Sequence, residues 1–222
     1  MKLSILTLIL IMSASIQAQT VAKYSPAELE KWQSIGEGKG YVTHGQFYME
    51  EVEGSLGFMV FSPEKYKDVI LHYEVMTMNP ATVLVVLLNA SDIGNSTDLT
   101  LTGDNKDSFG FWTKEAEDYM FGFRVMAHNS TPFLRKNPVT GNENGTIGLA
   151  KNDVMIPGWR YTVECGKKGS KLWLKIDDET IIETTDEKPL EAGRISLRVR
   201  GTAGDLGKCM IRNLEIIGEP VK

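Results

Sequence analysis

The residues best suited to chemistry lie in the segment YMFGFRVMAHNSTPFLRKNP, which runs from Tyr119 to Pro138. Its only histidine, His128, belongs to the one side-chain type whose unperturbed pKa lies near neutrality, as a general acid or base requires. His128 follows an alternating, strand-like run and precedes Asn129, so both residues are expected at a strand end. We therefore expect His128 to be catalytic and Asn129 to contact a ligand. The alternative is a structural histidine bonded to a backbone carbonyl.

Cationic side chains flank this histidine in the sequence: Arg124, Arg135 and Lys136. Guanidinium groups match carboxylates bidentately, so the group could hold an acidic sugar or stabilise a developing enolate. This reasoning predicts a catalytic role for Arg135 and ligand contacts from the other two cations. The alternative is that the cations form structural ion pairs with Glu74, Asp92 or Asp118.

A carboxylate and several aromatic rings add to this set. Glu74 shares one face of the predicted strand DVILHYEVMTM with His72, and it is the carboxylate that we expect to be catalytic. An ordinary solvated sheet face is the alternative for both residues. Tyr119 is a second candidate for proton transfer, and together with Trp112 it could contact the apolar face of a sugar. Trp173, in the run KLWLKID, is expected to lie in the core.

The run VLVVLLNASD turns abruptly polar at its end, where a buried central strand would reach the edge of a sheet. Asn89 and Asp92 in this run, and Asn137 beside Lys136, are therefore expected to contact the ligand. No cofactor is expected and no metal site is predicted. The oxygen-rich residues 104–107 would suit a structural calcium ion, but they lack the spacing of a known calcium loop.

These residues need a scaffold, and after the first forty residues the pattern is almost entirely one of short strands. Turn-forming residues separate the predicted strands, which are 41–50, 55–61, 68–78, 81–89, 99–102, 109–112, 118–128, 146–149, 159–166, 170–177, 180–184, 193–200 and 208–217. Many short strands without intervening amphipathic helices predict an all-β antiparallel sandwich. Asp177 and Asp178 suit the tight turn of a hairpin. Before the sandwich, a capping signal from Ser25 to Glu28 predicts a short helix over residues 26–33.

The beginning of the chain and its charge bear on its location. Residues 1–18 combine Lys2, an apolar run and small polar residues, as a secretory signal peptide does. Cleavage after Ala18 would leave a single domain of residues 19–222, and removing Lys2 from 24 basic against 29 acidic residues gives a net charge of −6. This mild acidity disfavours binding to nucleic acid or anionic membranes. We expect an exported protein, periplasmic or extracellular, without a membrane anchor.

Cys165 and Cys209 both lie in strand-like runs. Export would permit a disulfide between them if their strands are neighbours. The alternative is that they are two small buried side chains. No CxxC motif or His/Cys cluster predicts zinc or redox chemistry.

At HNSTPFLRKNP the chain resembles the YesU-like family of unknown function. The resemblance also covers WQSIGEGKGYVTHGQFYME, HYEVMTM, LLNASDIG, PGWRYTVE, KLWLKIDD and CMIRNLEI, and so nearly all of the chain after residue 18. It implies a concanavalin-A-like jelly-roll sandwich and a role in bacterial degradation of plant-wall polysaccharide, including rhamnogalacturonan. A more distant likeness is to the 3-keto-disaccharide hydrolase domain. The resemblance supplies no catalytic set, but its motifs include Glu74, Asn89, Asp92, His128, Asn129, Arg135, Lys136 and Asn137.

Three functions are compatible with these residues. A polysaccharide lyase would use His128 or Tyr119 to remove a proton beside a sugar carboxylate, while arginines stabilise the enolate. A glycoside hydrolase would need two carboxylates, for which Glu74 and Asp92 are the pair to consider. A lectin-like, carbohydrate-binding module would use the same contacts without turnover. We expect an exported protein that cleaves a pectic or other acidic glycan, with the binding module as the alternative.

Overall fold

The structure is a computed structural model that describes residues 20–94, 97–101, 108–124, 131–139, 145–152, 154–202 and 204–222. The predicted signal peptide and the oxygen-rich residues 104–107 lie outside these residues. Within the described part of the chain, no helix is long and apolar enough to cross a membrane.

Strands dominate the described residues. In chain order they are β1 Val21–Tyr24, β2 Gln33–Gly36, β3 Gly38–Thr43, β4 Gln46–Glu51, β5 Phe58–Tyr66, β6 Val69–Thr77, β7 Val83–Asp92, β8 Ala116–Phe123, β9 Phe133–Asn137, β10 Thr146–Leu149, β11 Arg160–Lys168, β12 Lys171–Ile176, β13 Glu179–Thr185, β14 Gly193–Arg200, β15 Lys208–Ile217 and β16 Pro220–Val221. The helical elements are α1 Pro26–Leu29, α2 Ser108–Gly110 and a π-helical turn at Phe111–Glu115.

The described strands form two antiparallel sheets. The first sheet has the order β13-β12-β11-β6-β15-β4-β3, and β1 also pairs with β15. The second sheet has the order β10-β9-β8-β7-β14-β5-β16, and β2 also pairs with β5. In each strand order, half of the neighbouring pairs are consecutive strands and half are distant in sequence, so the chain passes repeatedly between the two sheets of one sandwich. The predicted all-β antiparallel sandwich is confirmed.

The alternation of β6 shows which face of the first sheet meets the core. Leu71, Tyr73 and Val75 are buried between the sheets, whereas His72 and Glu74 lie on the outer face and are partly exposed. A strand with one buried face requires this period of two, so the sequence pattern follows directly from the sandwich.

β7 is buried on both faces, as its continuous apolar sequence predicts. Leu84, Val86 and Leu88 belong to the main core between the sheets. Val83, Val85 and Leu87 alternate with them and belong to a second apolar cluster that also contains Phe111 and Trp112. The segment that includes α2 and the π-helical turn therefore covers the outer face of the second sheet.

Several predicted elements differ from the structure. The predicted strand 41–50 is the hairpin β3–β4, because His44 and Gly45 take the positive φ values of 50° and 69° that a tight turn needs. The predicted strand 109–112 is wrong, since these residues lie in α2 and the π-helical turn, and no strand forms at the described residues of 99–102. The segment 133–137, which lies in none of the predicted strands, is strand β9.

The short helix and the Asp-rich hairpin match their sequence signals more closely. The Glu28 carboxylate accepts hydrogen bonds from the backbone nitrogen and hydroxyl of Ser25, at 2.7 and 2.6 Å, but α1 ends at Leu29 rather than at residue 33. Asp177 and Asp178 join β12 to β13 with φ values of 49° and 64°. Two consecutive residues with positive φ are characteristic of a two-residue hairpin turn, so this prediction is confirmed.

Both cysteines are buried and free. Cys165 on β11 pairs with Leu71, and Cys209 on β15 pairs with Thr77, on opposite sides of β6. Two strand spacings of about 4.8 Å each separate these strands, which already exceeds the Cα separation that a disulfide can bridge. The second interpretation, two small buried side chains, is confirmed.

Candidate functional site

A cleft, which we call the end cleft, opens at one end of the sandwich, where β8 begins and β9 ends. Its volume is about 1010 Å³. The residues that line it come from the ends of these strands, from the position after β7, from the start of β10 and from the connection between β13 and β14. They are Ile93, Glu117, Lys136, Asn137, Pro138, Val139, Gly145, Ile147, Thr185, Asp186, Glu187, Lys188, Pro189 and Leu190. Two of the sequence-predicted ligand contacts, Lys136 and Asn137, are therefore together in one cleft.

Lys136 is held in the cleft by Asp186. Its ammonium lies 2.8 Å from the Asp186 carboxylate, and it also donates a hydrogen bond to the backbone carbonyl of Lys188 at 2.5 Å. Burial alone would raise the pKa of Asp186, but hydrogen bonds from Lys136 and Tyr119 outweigh burial and lower it. The cleft therefore presents an ionised carboxylate and an ammonium group in fixed positions.

Tyr119 supports this pair from the core side. Its hydroxyl donates to Asp186 at 2.6 Å and accepts from the backbone nitrogen of Leu190 at 2.9 Å. The whole residue is buried, and burial, followed by the bond to Asp186, raises the pKa of its hydroxyl well above the ordinary value. In this structure Tyr119 positions Asp186, and its ring has no exposed face for a sugar.

Asn137 joins the cleft to a buried carboxyl group. Its side-chain amide donates a hydrogen bond to Asp118 Oδ1 at 2.9 Å. The other carboxyl oxygen of Asp118 is buried and has no hydrogen-bond partner among the residues that the structure describes. Burial raises the pKa of Asp118 to about 8, although the bond from Asn137 opposes this shift, so the group is protonated at neutral pH.

The alternation of side chains along β8 and β9 determines on which face of the second sheet each of these two pairs lies. Tyr119, Phe121 and Phe123 point into the core, so Asp118 points to the outer face of the second sheet. In the paired strand, Lys136 lies opposite Tyr119. Adjacent residues on one strand point to opposite faces, which places the Asp118–Asn137 pair and the Lys136–Asp186 pair on different faces of the second sheet.

The same alternation separates the cations that were expected to act together. Arg135 lies on the other face from Lys136, where its guanidinium is 4.5 Å from the centre of the Phe133 ring and its Nε is 3.3 Å from the Thr146 hydroxyl. Burial lowers the pKa of Arg135. Arg124 is buried and donates to the backbone carbonyls of Pro80 and Met155 at 2.8 and 3.2 Å. The three cations therefore do not form one group.

Glu74 lies on the outer face of the first sheet, away from the cleft. Its carboxylate is 2.6 Å from Arg212, 2.5 Å from the Asn213 amide and 3.7 Å from Arg160. Burial would raise its pKa, but these partners outweigh it and lower the pKa. Glu74 thus forms a structural ion-pair cluster, with arginines other than those that the sequence suggested.

The remaining described candidates have structural contacts. The Asn89 amide donates to the backbone carbonyls of Tyr66, Lys67 and Glu191, at 2.8, 3.0 and 2.9 Å. The Asp92 carboxylate accepts hydrogen bonds from the backbone nitrogen and hydroxyl of Thr100.

Trp112 is only 4% exposed and belongs to the second apolar cluster, with the Arg198 guanidinium 5.8 Å from its ring centre. His128 and Asn129 lie outside the described residues.

The sequence did not single out Asp118 or Asp186 as site residues. Asp118 interrupts an apolar strand, and this interruption could have marked it in the sequence as a candidate. A carboxyl group in such a strand is either at the end of the strand or buried. Asp186 follows β13 in a polar stretch and gave no signal of its own. Its partners Tyr119 and Lys136 are 67 and 50 residues away, so the pairing depends on the topology of the sandwich.

No protein-family model and no curated protein matches this chain. Its fold is similar to that of a protein of unknown function with a galectin-like fold from Bacillus subtilis, with a TM-score of 0.70, 15% identity and coverage of 93% of this chain and 98% of that chain. The carbohydrate-binding module CBM66 from Bacillus subtilis has a TM-score of 0.56, 13% identity and coverage of 84% and 96%. A Bacillus licheniformis β-glucanase has a TM-score of 0.54, 10% identity and coverage of 92% and 99%. At these identities the likeness shows the fold alone, and it confirms the predicted jelly-roll sandwich.

Proposed function

We propose that this protein is an exported, carbohydrate-active protein that binds an oligosaccharide in the end cleft. The observation that carries the proposal is the composition of the cleft, in which the fixed Lys136–Asp186 pair lies among apolar residues such as Ile93, Val139 and Leu190. A sugar has both hydroxyl groups and apolar C–H faces, so a ligand site for it needs a few oriented polar groups in a largely apolar surface.

The names of similar folds agree with a sugar ligand. A carbohydrate-binding module and a β-glucanase share this sandwich, and the resemblance to the YesU-like family points to plant-wall polysaccharide. The fold can host hydrolases, lyases and binding modules. These names therefore support a sugar as the ligand, whereas the activity has to be inferred from the residues of the site.

The charge of the cleft favours a neutral sugar. Among its described lining residues, the carboxylates Glu117, Asp186 and Glu187 outnumber the ammonium groups Lys136 and Lys188. Lys136 is already neutralised by Asp186 at 2.8 Å. An acidic glycan would gain little from such a surface, and the end cleft therefore suits the neutral part of a plant-wall glycan better than the pectic acid that the sequence suggested.

Hydrolysis is the second candidate, and the contrast between Asp118 and Asp186 favours it. One carboxyl has a raised pKa and the other a lowered pKa, as an acid and its ionised partner would have. Asp118 is fully buried, however, reaches the cleft only through Asn137, and lies on the other face of the second sheet from Asp186. The described residues therefore support binding more directly than cleavage, and a lyase would depend on His128 because the Tyr119 hydroxyl is already occupied.

Calorimetry of the purified protein against neutral and acidic plant-wall oligosaccharides tests this proposal. We expect a neutral oligosaccharide to bind. Lys136→Ala should weaken its binding by about tenfold, since it removes a hydrogen-bond donor for the sugar hydroxyls and the partner that fixes Asp186. Mass spectrometry of the same mixtures after long incubation distinguishes binding from cleavage. A saturated product would establish a hydrolase, and an unsaturated product a lyase.

Lys208→Ala is the matched control, because Lys208 forms a similar ion pair with Glu50 at 2.7 Å on the outer face of the first sheet. We expect this variant to bind the oligosaccharide as the wild type does. Equal loss of affinity in both variants, or no binding to any member of the panel, would contradict a glycan site in the end cleft.

A further inference from the structure

Trp173 lies on the outer face of the first sheet, and its prediction as a core residue is wrong. Its neighbours on β12, Leu172 and Leu174, are fully buried, so the alternation of the strand turns Trp173 outwards, where it is partly exposed. A large indole on the outer face of a sheet loses the burial that a core position would provide. Its contacts show how it is nevertheless held in one orientation.

Gly166 on β11 provides the surface on which the indole rests. It lies directly opposite Trp173 in the strand pair, and a Cβ atom at this position would be 2.1 Å from Cε2 and from Cζ2 of the indole. Any other residue would therefore displace the ring. Because Gly166 has no side chain, the indole lies against the backbone of β11, and the site depends on glycine at this position.

Glu164 fixes the indole in this position. The indole nitrogen donates to Glu164 Oε1 at 2.6 Å, and the Lys175 ammonium lies 2.9 Å from the same oxygen. Burial would raise the pKa of Glu164, but Lys175 and Trp173 outweigh it and lower the pKa, so the carboxylate remains ionised. The ring is thus oriented before any ligand arrives, which reduces the entropy that binding would cost.

The surface around the ring is concave and positively charged. A pocket of about 350 Å³ is lined by Trp173, Lys168, Lys171, Lys175 and Glu183. Lys171 pairs with Glu183 at 2.8 Å and Lys175 pairs with Glu164. Lys168 has no ion pair with any residue that the structure describes, so its ammonium is available beside an oriented aromatic ring.

We infer that this surface, the Trp173 platform, is a binding site for a uronic acid residue of an acidic glycan. The apolar C–H face of the sugar ring would stack on the indole, and its carboxylate would pair with Lys168. An anionic sugar fits this pocket because Lys168 adds a positive charge to the two neutralised pairs, Lys171–Glu183 and Lys175–Glu164. The site lies on the outer face of the first sheet, next to the end cleft, because Lys171 pairs in register with Thr185 of the cleft. It does not depend on the function proposed for that cleft.

Titration with an oligogalacturonate, followed by calorimetry at low salt, tests the inference. Trp173→Ala is expected to weaken binding by about tenfold, because it removes the stacking surface. Lys168→Gln is expected to weaken it by about two- to fivefold, as the loss of an exposed ion pair does. Raising the salt concentration should reduce the affinity of the wild type more than that of Lys168→Gln, because salt screens exposed charges.

Lys168→Gln keeps the test valid if Trp173→Ala fails to fold, since Lys168 is exposed and the substitution leaves the sheet unchanged. Lys208→Ala, at an ion pair that belongs to neither site, is the control and should bind oligogalacturonate as the wild type does. Three results would overturn the inference: no binding of oligogalacturonate by the wild type, unchanged binding by Lys168→Gln, or equally tight binding of a neutral oligosaccharide at the Trp173 platform. None of these results bears on the neutral sugar proposed for the end cleft.

Discussion

Asp118 and Asp186 differ in the partner that accompanies their burial. Asp186 has the Lys136 ammonium at 2.8 Å, and its pKa is lowered. Asp118 has a neutral amide from Asn137 as its described partner, and burial raises its pKa to about 8. A buried carboxylate without a cation is costly, and the group avoids this cost by staying protonated.

This protonation makes stability depend on pH. In the unfolded chain the Asp118 carboxyl ionises near its ordinary value of 3.8, whereas in the folded protein it ionises only near 8. Between these values unfolding releases a proton, so the contribution of Asp118 is fully favourable below pH 3.8 and is lost as pH rises towards 8. We expect Asp118→Asn, an isosteric neutral replacement, to be more stable than the wild type at pH 9 by several kcal/mol, since each pKa unit corresponds to about 1.4 kcal/mol.

Urea denaturation at pH 5, 7 and 9 measures this difference. Asp178→Asn is a suitable control, because Asp178 is an exposed residue of the β12–β13 turn, and its pH dependence should follow the wild type. An Asp118→Asn protein that loses stability with pH as steeply as the wild type would show that Asp118 is ionised in the folded state.

At the level of single residues, the sequence identified one member of the Lys136–Asp186 pair and one member of the Asn137–Asp118 pair. Lys136 and Asn137 were found because cationic and amide groups beside a proline suggest a polar site. Their partners Asp186 and Asp118 lie 50 and 19 residues away, and only the strand register brings them together. Arg135 and Lys136 were expected to act together because they are adjacent in sequence, but adjacent strand residues point to opposite faces.

Among the structural elements, the segment of α2 and the π-helical turn has the clearest energetic role. It carries Phe111 and Trp112 over the outer face of the second sheet, where Phe111 packs edge-on against Phe61 at a ring-centre distance of 5.8 Å. Without this cover, β5 and β7 would expose apolar side chains to water. The sequence suggested a strand here because aromatic residues favour strands. In the structure, the burial of Phe111 and Trp112 against the second sheet outweighs this local strand propensity.

This role leads to a prediction for Trp112. Trp112→Ala should destabilise the protein by about 3–5 kcal/mol, as deletion of a buried aromatic side chain does, and should leave oligosaccharide affinity unchanged at temperatures where the variant is folded. Thermal denaturation and calorimetry give the two values. A stable variant with reduced affinity would instead support the sequence-based expectation that Trp112 contacts the ligand.

The strand β9 shows how an element is missed when its sequence is considered without its neighbours. Its sequence FLRKN contains two cations and an asparagine between prolines, which resembles a loop when it is considered alone. In the structure, Phe133 lies over Gly122 and Leu134 enters the core, so two apolar residues are sufficient to add this strand beside β8. The hairpin at Asp177 was easier, because its turn chemistry and its alternating strands agree.

For the whole molecule, the fold was predictable because period-two alternation recurs along most of the chain. An error in any one predicted strand therefore does not change the predicted sandwich. The pairing order was not predictable in the same way. The neighbours of β6 are β11 and β15, which lie far along the sequence, and the cleft exists only because of such long-range neighbours. The site was therefore less accessible to sequence reasoning than the fold.

Export is a property of the whole chain, and it remains a prediction. Cleavage after Ala18 would leave β1 intact, together with the hydrogen bonds from Thr20 to Glu219, so the folded domain would keep its first strand. We expect the full chain, expressed in a bacterial host, to be recovered outside the cytoplasm with Gln19 as its first residue, as mass spectrometry would show. Leu8→Arg, which interrupts the apolar run, should remain in the cytoplasm uncleaved. An uncleaved wild-type protein retained in the cells would contradict this prediction.

The burial of both cysteines has a practical consequence. The chain contains two cysteines, both are fully enclosed, and burial raises the pKa of both thiols, to about 12 for Cys209. A maleimide dye reacts with thiolates that solvent can reach, so the native protein should remain unlabelled. A cysteine introduced at the rim of the end cleft, or beside the Trp173 platform, would then be the single labelled position, and fluorescence could report the occupancy of each surface separately.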